Sequence, residues 1–391
     1  MKAIDQEAGS AQALVGSALQ GWSRFWFTPA DPTPLGVIRI LCGLMVLYVH
    51  LAYSYDLMNF HGPSGWLNLG IVNEFRKEAP LVGPTASWEE PPAKPPESPE
   101  DLAYAKRWGM LRSQAAAFGH PLVSLWFHVT DPTWMWVCHG AMLFIMFLFT
   151  IGFCTRVTGV LTWLSILSYI QRAQTSLFGL DTIMNLTVFY LMIGPSGAAL
   201  SADRLLAQYW RRVQARRKGL VLPEFGPPVP SVSANLAIRL LQVHVCFVYF
   251  ASGASKLQGP AWWNGTAPWK TMANYEFSPM NYQWYMYALY FMVDHRWLWE
   301  LAMSSIAIFT LVFEVGFPFF IWNRNSRWIV ISAAVLLHLG IAIFMGLVTF
   351  SLMMLVAVSS FVPPETWHRL LDYFQRGGTH VRLAYVEGRA A

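Results

Sequence analysis

The feature that most limits the fold of this 391-residue chain is a series of long, nearly uncharged apolar runs separated by polar or Pro/Gly-rich breaks. A helix needs about 20 mostly apolar residues to cross a bilayer core. Eight runs approach that length: 35–55, 133–154, 157–172, 182–200, 234–254, 297–322, 327–345 and 347–362. The composition fits, with 55% hydrophobic, 15% aromatic and only 13% charged residues. Soluble domains carry about 25% charged residues, so a disordered chain or a secreted disulfide scaffold is excluded. The expected fold is all-α, a polytopic membrane helical bundle of about eight transmembrane helices. An even number of spans puts both termini on one side.

The basic residues choose that side. With the termini in the cytoplasm, 17 of the 27 Lys+Arg fall inside, including Arg156, Arg324, Arg327 and the six from Arg204 to Lys218. Cytoplasmic loops carry such an excess. The sequence divides accordingly into a cytoplasmic segment 1–30, a transmembrane domain 31–365 and a cytoplasmic tail 366–391. Outer loops are expected at 56–131 and 255–296, and a basic inner loop at 201–233. The Pro-rich stretch 89–100 reads as an exposed extended loop. The basic cluster reads as a topology determinant, so no nucleic-acid partner is expected. Cys42, Cys138, Cys154 and Cys246 lie in or at the ends of apolar runs without a CxxC partner, so neither a disulfide framework nor a metal site is expected. No internal repeat is visible, which sets the chain apart from transporters built on duplicated halves.

Ionisable groups inside a bilayer are costly unless paired, so each is a functional candidate. They are Arg39, His50, His139, Asp181, His244, Lys256, Glu314 and His338. Arg39 and Arg239 lie near cytoplasmic helix ends, where they can snorkel. His50 and His139 read as hydrogen-bonded packing residues. Arg172 and Asp181 bracket a short turn in which a pair would organise the outer face. Lys256 has two readings. It is an interfacial anchor beside Trp262 and Trp263, or a lysine in a dry indole-walled pocket, where desolvation favours the neutral amine and a general-base role. Small residues around Gly253 would let another helix approach closely. Glu314 and His338 lie at similar depth in consecutive spans, about 14–17 Å from the cytoplasmic end, and are expected as a hydrogen-bonded couple.

Three segments carry a resemblance: VYFASGASKLQGPAWWNGTA at 248–267, QRAQTSLFGLDTIMNLTVFYLMIGPSGAALSADRL at 171–205, and LHLGIAIFMGLVTFSLMML at 337–355. They are similar to the horizontally transferred transmembrane (HTTM) domain, and to the membrane half of the vitamin K-dependent γ-glutamyl carboxylase. The resemblance implies a bacterial inner-membrane, multi-pass protein. It places Lys256 as the base that deprotonates a reduced quinone of the vitamin K or menaquinol kind, and His338 near the quinone oxygen. Glu314, Arg172, Asp181 and His244 would support the site, and Trp262, Trp263 and Gly253 would line the quinone pocket. Ser255 stands where the eukaryotic enzyme has a second lysine, so the quinol and oxygen half of that reaction carries over better than peptide carboxylation. The implied partners are membrane lipid, a lipid-soluble quinol and a secreted or periplasmic polypeptide. The implied alternative is a non-catalytic membrane factor that matures such a polypeptide.

Overall fold

In the computed structural model, residues 16–78, 122–222, 226–275, 279 and 281–374 are described. The Pro-rich stretch 89–100, most of the expected outer loop 56–131 and the end of the tail lie outside them. The described residues are 78% helical, with no strand among them. The main helices are α1 (Thr33–Ala52), α2 (Pro132–Ile151), α3 (Thr155–Arg172), α4 (Gly179–Ile193), α5 (Ala202–Arg217), α6 (Val232–Leu257), α7 (Gln283–Asp294), α8 (Arg296–Phe320), α9 (Arg327–Phe344) and α10 (Val348–Val358).

Helices occupy all eight apolar runs, but among the described residues five are long and apolar enough to cross a membrane: Thr33–Tyr55, α2, α6, α8 and α9. A sixth would come from a bent pair, Val348–Phe361 with Pro364–Phe374, broken at 111°. Each remaining run has a physical reason to fall short. Along α3, Thr158, Thr162, Ser165 and Ser168 dilute the apolar content, and all four are buried. At about 1.5 Å per residue, the 15 residues of α4 and the 11 of α10 fall short of a bilayer core about 30 Å thick. The bend follows Val362, because a residue before proline avoids the helical region and Pro363 and Pro364 come next. The expected inner loop 201–233 holds a helix instead. Ser201 Oγ accepts the Arg204 N–H and starts α5.

The described chain forms two compact units. One comprises 47–145 and 161–178. Its core gathers around Tyr169, whose ring lies 4.8 Å from His50, 5.0 Å from His61 and 5.2 Å from Trp126. His139 bridges Tyr169 Oη at 2.6 Å through Nδ1 and Ser54 Oγ at 2.8 Å through Nε2.

The other unit comprises 1–46, 146–160 and 179–391. Here α6 packs most extensively on α8, α9 packs on α10, and α4 lies against α6 and α10. Gly346, at φ 68°, makes the left-handed turn that reverses the chain between α9 and α10. Arg39 does not snorkel. It is fully buried, and its guanidinium donates to the carbonyls of Ser196, Ala199 and Leu200 after α4 and to Thr150 in α2. Asp203 works in the opposite sense. Its carboxylate accepts the Cys154 and Thr155 N–H groups at 2.6 and 2.9 Å, capping α3. Arg239 lies over the Phe25 ring at 4.5 Å and donates to Gln242 Oε1.

Two outcomes follow. Arg39→Met leaves four buried carbonyls without their donor, and hydrogen bonds to a charged group contribute about 1.5–3 kcal/mol each. The variant should lose at least about 3 kcal/mol, seen as a lower unfolding midpoint of the detergent-purified protein. At the start of α1, Asp31 accepts the Thr33 N–H and pairs with His368 at 2.7 Å. Burial works to raise the Asp31 pKa, but the hydrogen bonds from Thr33 and His368 carry it below its ordinary 3.8. A lowered carboxylate pKa stabilises above the unfolded value and stops doing so as pH falls through the folded one. Asp31→Asn keeps an acceptor for Thr33 but loses the charge facing His368, so it should be less stable than the native chain by up to about 1 kcal/mol at pH 7, with the gap closing below pH about 4.

Candidate functional site

One face of α6 builds the site. Tyr249, Ser252 and Lys256 are spaced three and four apart, so they stack on one side of the helix. Lys256 sits in the last turn, which runs on to Leu257. Opposite lies α8, whose Thr310, Glu314 and Phe317 are spaced in the same way and buried. Gly253 sets the distance between the helices. A Cβ there would lie 2.9 Å from Val315 Cγ2 and 3.0 Å from Glu314 Cβ. No other residue would let the two backbones come so close.

The close approach brings Glu314 to Lys256. Lys256 Nζ donates to Glu314 Oε1 and Oε2 at 2.8 and 2.7 Å, and to Ser252 Oγ at 2.6 Å. An ammonium has three N–H donors and no acceptor, so all three are engaged. The Glu314 side chain is 7% exposed and that of Lys256 24%. Nζ also lies 5.4 Å from the centre of the Trp262 ring, within cation–π range.

The expected Glu314–His338 couple does not form. His338 Nε2 instead meets Tyr249 Oη at 2.7 Å, and Glu314 is taken by Lys256. Both polar groups of the neighbouring helices are claimed by the α6 face. The His338 ring also packs edge-on to Phe350 at 5.9 Å. Its Nδ1 is buried and has no hydrogen-bond partner.

These groups open onto a cavity of about 600 Å³, lined by residues of α6, α8, α9, α10 and the short helices Pro260–Trp263 and Ala267–Met272. Most of the lining is apolar, with Phe309, Leu337, Ile341, Phe344 and Met354 among it. Lys256, Glu314, Tyr249 and His338 form its polar side. Above it, Tyr285 Oη donates to the carbonyls of Met272 and Phe344 at 2.8 and 3.2 Å. That phenol ties α7 to the cavity wall.

The other expected site residues lie elsewhere. Trp262 lines the cavity, but Trp263 is 70% exposed and its indole N–H donates to the Leu257 carbonyl. His244 Nδ1 is bonded to Tyr190 Oη at 3.0 Å, away from the lining. Arg172 and Asp181 belong to different compact units, and neither lines the cavity. Tyr249 and Ser252 were not foreseen, although their spacing from Lys256 was readable. Among the described residues no group of three or more His, Cys, Asp or Glu side chains could hold a metal ion.

Compared with family models, curated proteins and solved structures, the chain matches none.

Removing one partner of a buried ion pair costs about 3–5 kcal/mol, whereas replacing both by apolar groups can be nearly neutral. Lys256→Met and Glu314→Leu should therefore each lower stability by about 3 kcal/mol, while the double variant recovers most of the loss. Thermal unfolding of the four proteins in detergent checks this. Losses that simply add would show that the two residues do not act as a pair.

Proposed function

We propose that this chain is an integral membrane protein of the HTTM type, resembling the membrane half of the vitamin K-dependent γ-glutamyl carboxylase, and that its cavity takes a quinol. In this reading the chain crosses eight times, with α3 as one crossing and the short α4 and α10 completing theirs through the turns that follow them at 194–200 and 359–362. Both termini are cytoplasmic and the site faces the outer leaflet of a bacterial inner membrane. The observation that carries the reading is the pairing of Lys256 and Glu314 on the wall of an apolar cavity of about 600 Å³, with the unpartnered Nδ1 of His338 on the same wall.

The residues present fit such a group. An apolar cavity with a few convergent polar groups is the usual form of a small-molecule site, and the orphaned His338 Nδ1 supplies a hydrogen-bonding position for a ring oxygen. When bound, a quinol supplies the electrons that reduce oxygen, giving quinone epoxide and water. The chain's task is to hold the ring and accept a proton. Lys256 acts as a base by first passing a proton across 2.7 Å to Glu314, which leaves a neutral amine facing the cavity. The apolar lining excludes water and makes the charge-neutral form of the pair accessible. His338, fixed through Nε2 by Tyr249, orients the ring.

A second reading is favoured by the three acceptors already filling the Lys256 donors. The pair would then be structural, and the protein a non-catalytic membrane factor that matures a secreted polypeptide. Oxygen-dependent turnover separates the two. Purified protein given menaquinol or vitamin K hydroquinone should form quinone epoxide, with Lys256→Ala reduced at least about 100-fold, the scale of a lost general base. No epoxide from the native protein leaves the second reading standing, whereas undiminished product from the variant removes Lys256 as the base.

A further inference from the structure

In the unit formed by 47–145 and 161–178, one buried charge meets no ion-pair partner among the described residues. Arg172 is the last residue of α3 and is fully buried. Its Nη2 donates to the Gly62 carbonyl at 2.6 Å, while Nε and Nη1 have no hydrogen-bond partner. A guanidinium cannot shed its proton to escape burial. The carbonyl end of α3 offsets part of the charge, but supplies no acceptor to those two nitrogens.

The neighbouring groups share this deficit. Arg172 is bonded to the residue that follows His61. The His61 ring lies 6.4 Å from Trp126, and both pack on Tyr169. His61 Nδ1 and Trp126 Nε1 are likewise buried without a partner. An indole N–H and a guanidinium are donors only, so they require an acceptor. Native proteins leave few buried polar groups unsatisfied, and several in one cluster of aromatic rings is unusual.

From these atoms the geometry points to a small carboxylate as the ligand of this cluster, held by Arg172, His61 and Trp126. The charge balance selects it. Burial, aided by Arg172, pushes the His61 pKa down to about 3, so this imidazole is neutral and one guanidinium remains. A monoanion neutralises it, whereas a dianion such as sulfate would bring an extra buried charge. The inference does not rest on the quinol reading, and its residues lie outside that cavity.

The test uses detergent-purified full-length protein and follows its unfolding midpoint by tryptophan fluorescence at constant ionic strength. The additions are sodium acetate, N-acetyl-aspartamide or sodium sulfate, against sodium chloride. Acetate should raise the midpoint saturably, and Arg172→Met should abolish the rise. Trp126→Phe keeps the ring stack and should weaken acetate about tenfold through loss of one charge-assisted hydrogen bond. It keeps the test decisive if Arg172→Met does not fold. A response to acetate alone assigns a free small acid, and a response to N-acetyl-aspartamide assigns a polypeptide side chain. A midpoint indifferent to both carboxylates, an equal response to sulfate, or an acetate response that Arg172 and Trp126 do not influence would overturn the proposal.

Discussion

The contact between Lys256 and Glu314 governs the half of the molecule that contains the cavity. Two opposite charges within 2.8 Å are tolerated in an apolar bundle because each compensates the other. They meet only because Gly253 lets α8 reach the α6 backbone. That close approach turns Thr310 and Phe317 toward the same face and brings Phe317 within 4.3 Å of Tyr249. Tyr249 in turn holds His338. The cavity wall is thus a chain of dependencies that begins at one missing side chain.

The same constraint, that apolar surroundings supply no hydrogen bonds, recurs at other charged side chains. Arg39 satisfies carbonyls freed where α4 ends, and Asp203 satisfies N–H groups where α3 begins. In both cases a charge is spent on backbone that water would otherwise serve. Arg172 differs in kind. It satisfies one carbonyl and keeps two nitrogens idle beside an idle indole and an idle imidazole. Arg39 fills its valences with backbone carbonyls, whereas Arg172 leaves two of its nitrogens without a partner.

Much of the fold could be read from the sequence because long apolar helices are specified largely by length and polarity. The five long apolar helices stand where their runs predict. Run length specifies less where polar residues face inward. The buried Thr158, Thr162, Ser165 and Ser168 lower the apolar content of α3 while serving its packing. The site was legible in its residue list and not in its partners. Equal depth suggested that Glu314 would meet His338, but depth fixes position along the axes and leaves rotation about them open. Rotation is set by packing, and here Gly253 decides it. Trp263 failed for a related reason, since adjacent residues on a helix point about 100° apart and only one indole of the pair can face the cavity.

The site combines a satisfied pair with an unsatisfied ring nitrogen, and the two make opposite demands. A lysine with three acceptors is held in place and is a poor base in that state, because its lone pair is absent. A proton moved within the pair to Glu314 changes this without adding charge to the cavity, and it is the only route to a free amine that strands no ion there. Under the proposed chemistry Glu314 serves twice, to make the buried lysine tolerable and to release it. His338 Nδ1 has no such internal remedy, since Tyr249 occupies only Nε2. A polar ligand in the cavity would satisfy it. Among the groups on this wall, the histidine is thus the one whose satisfaction depends on an occupant, and the lysine the one whose chemistry depends on its neighbour.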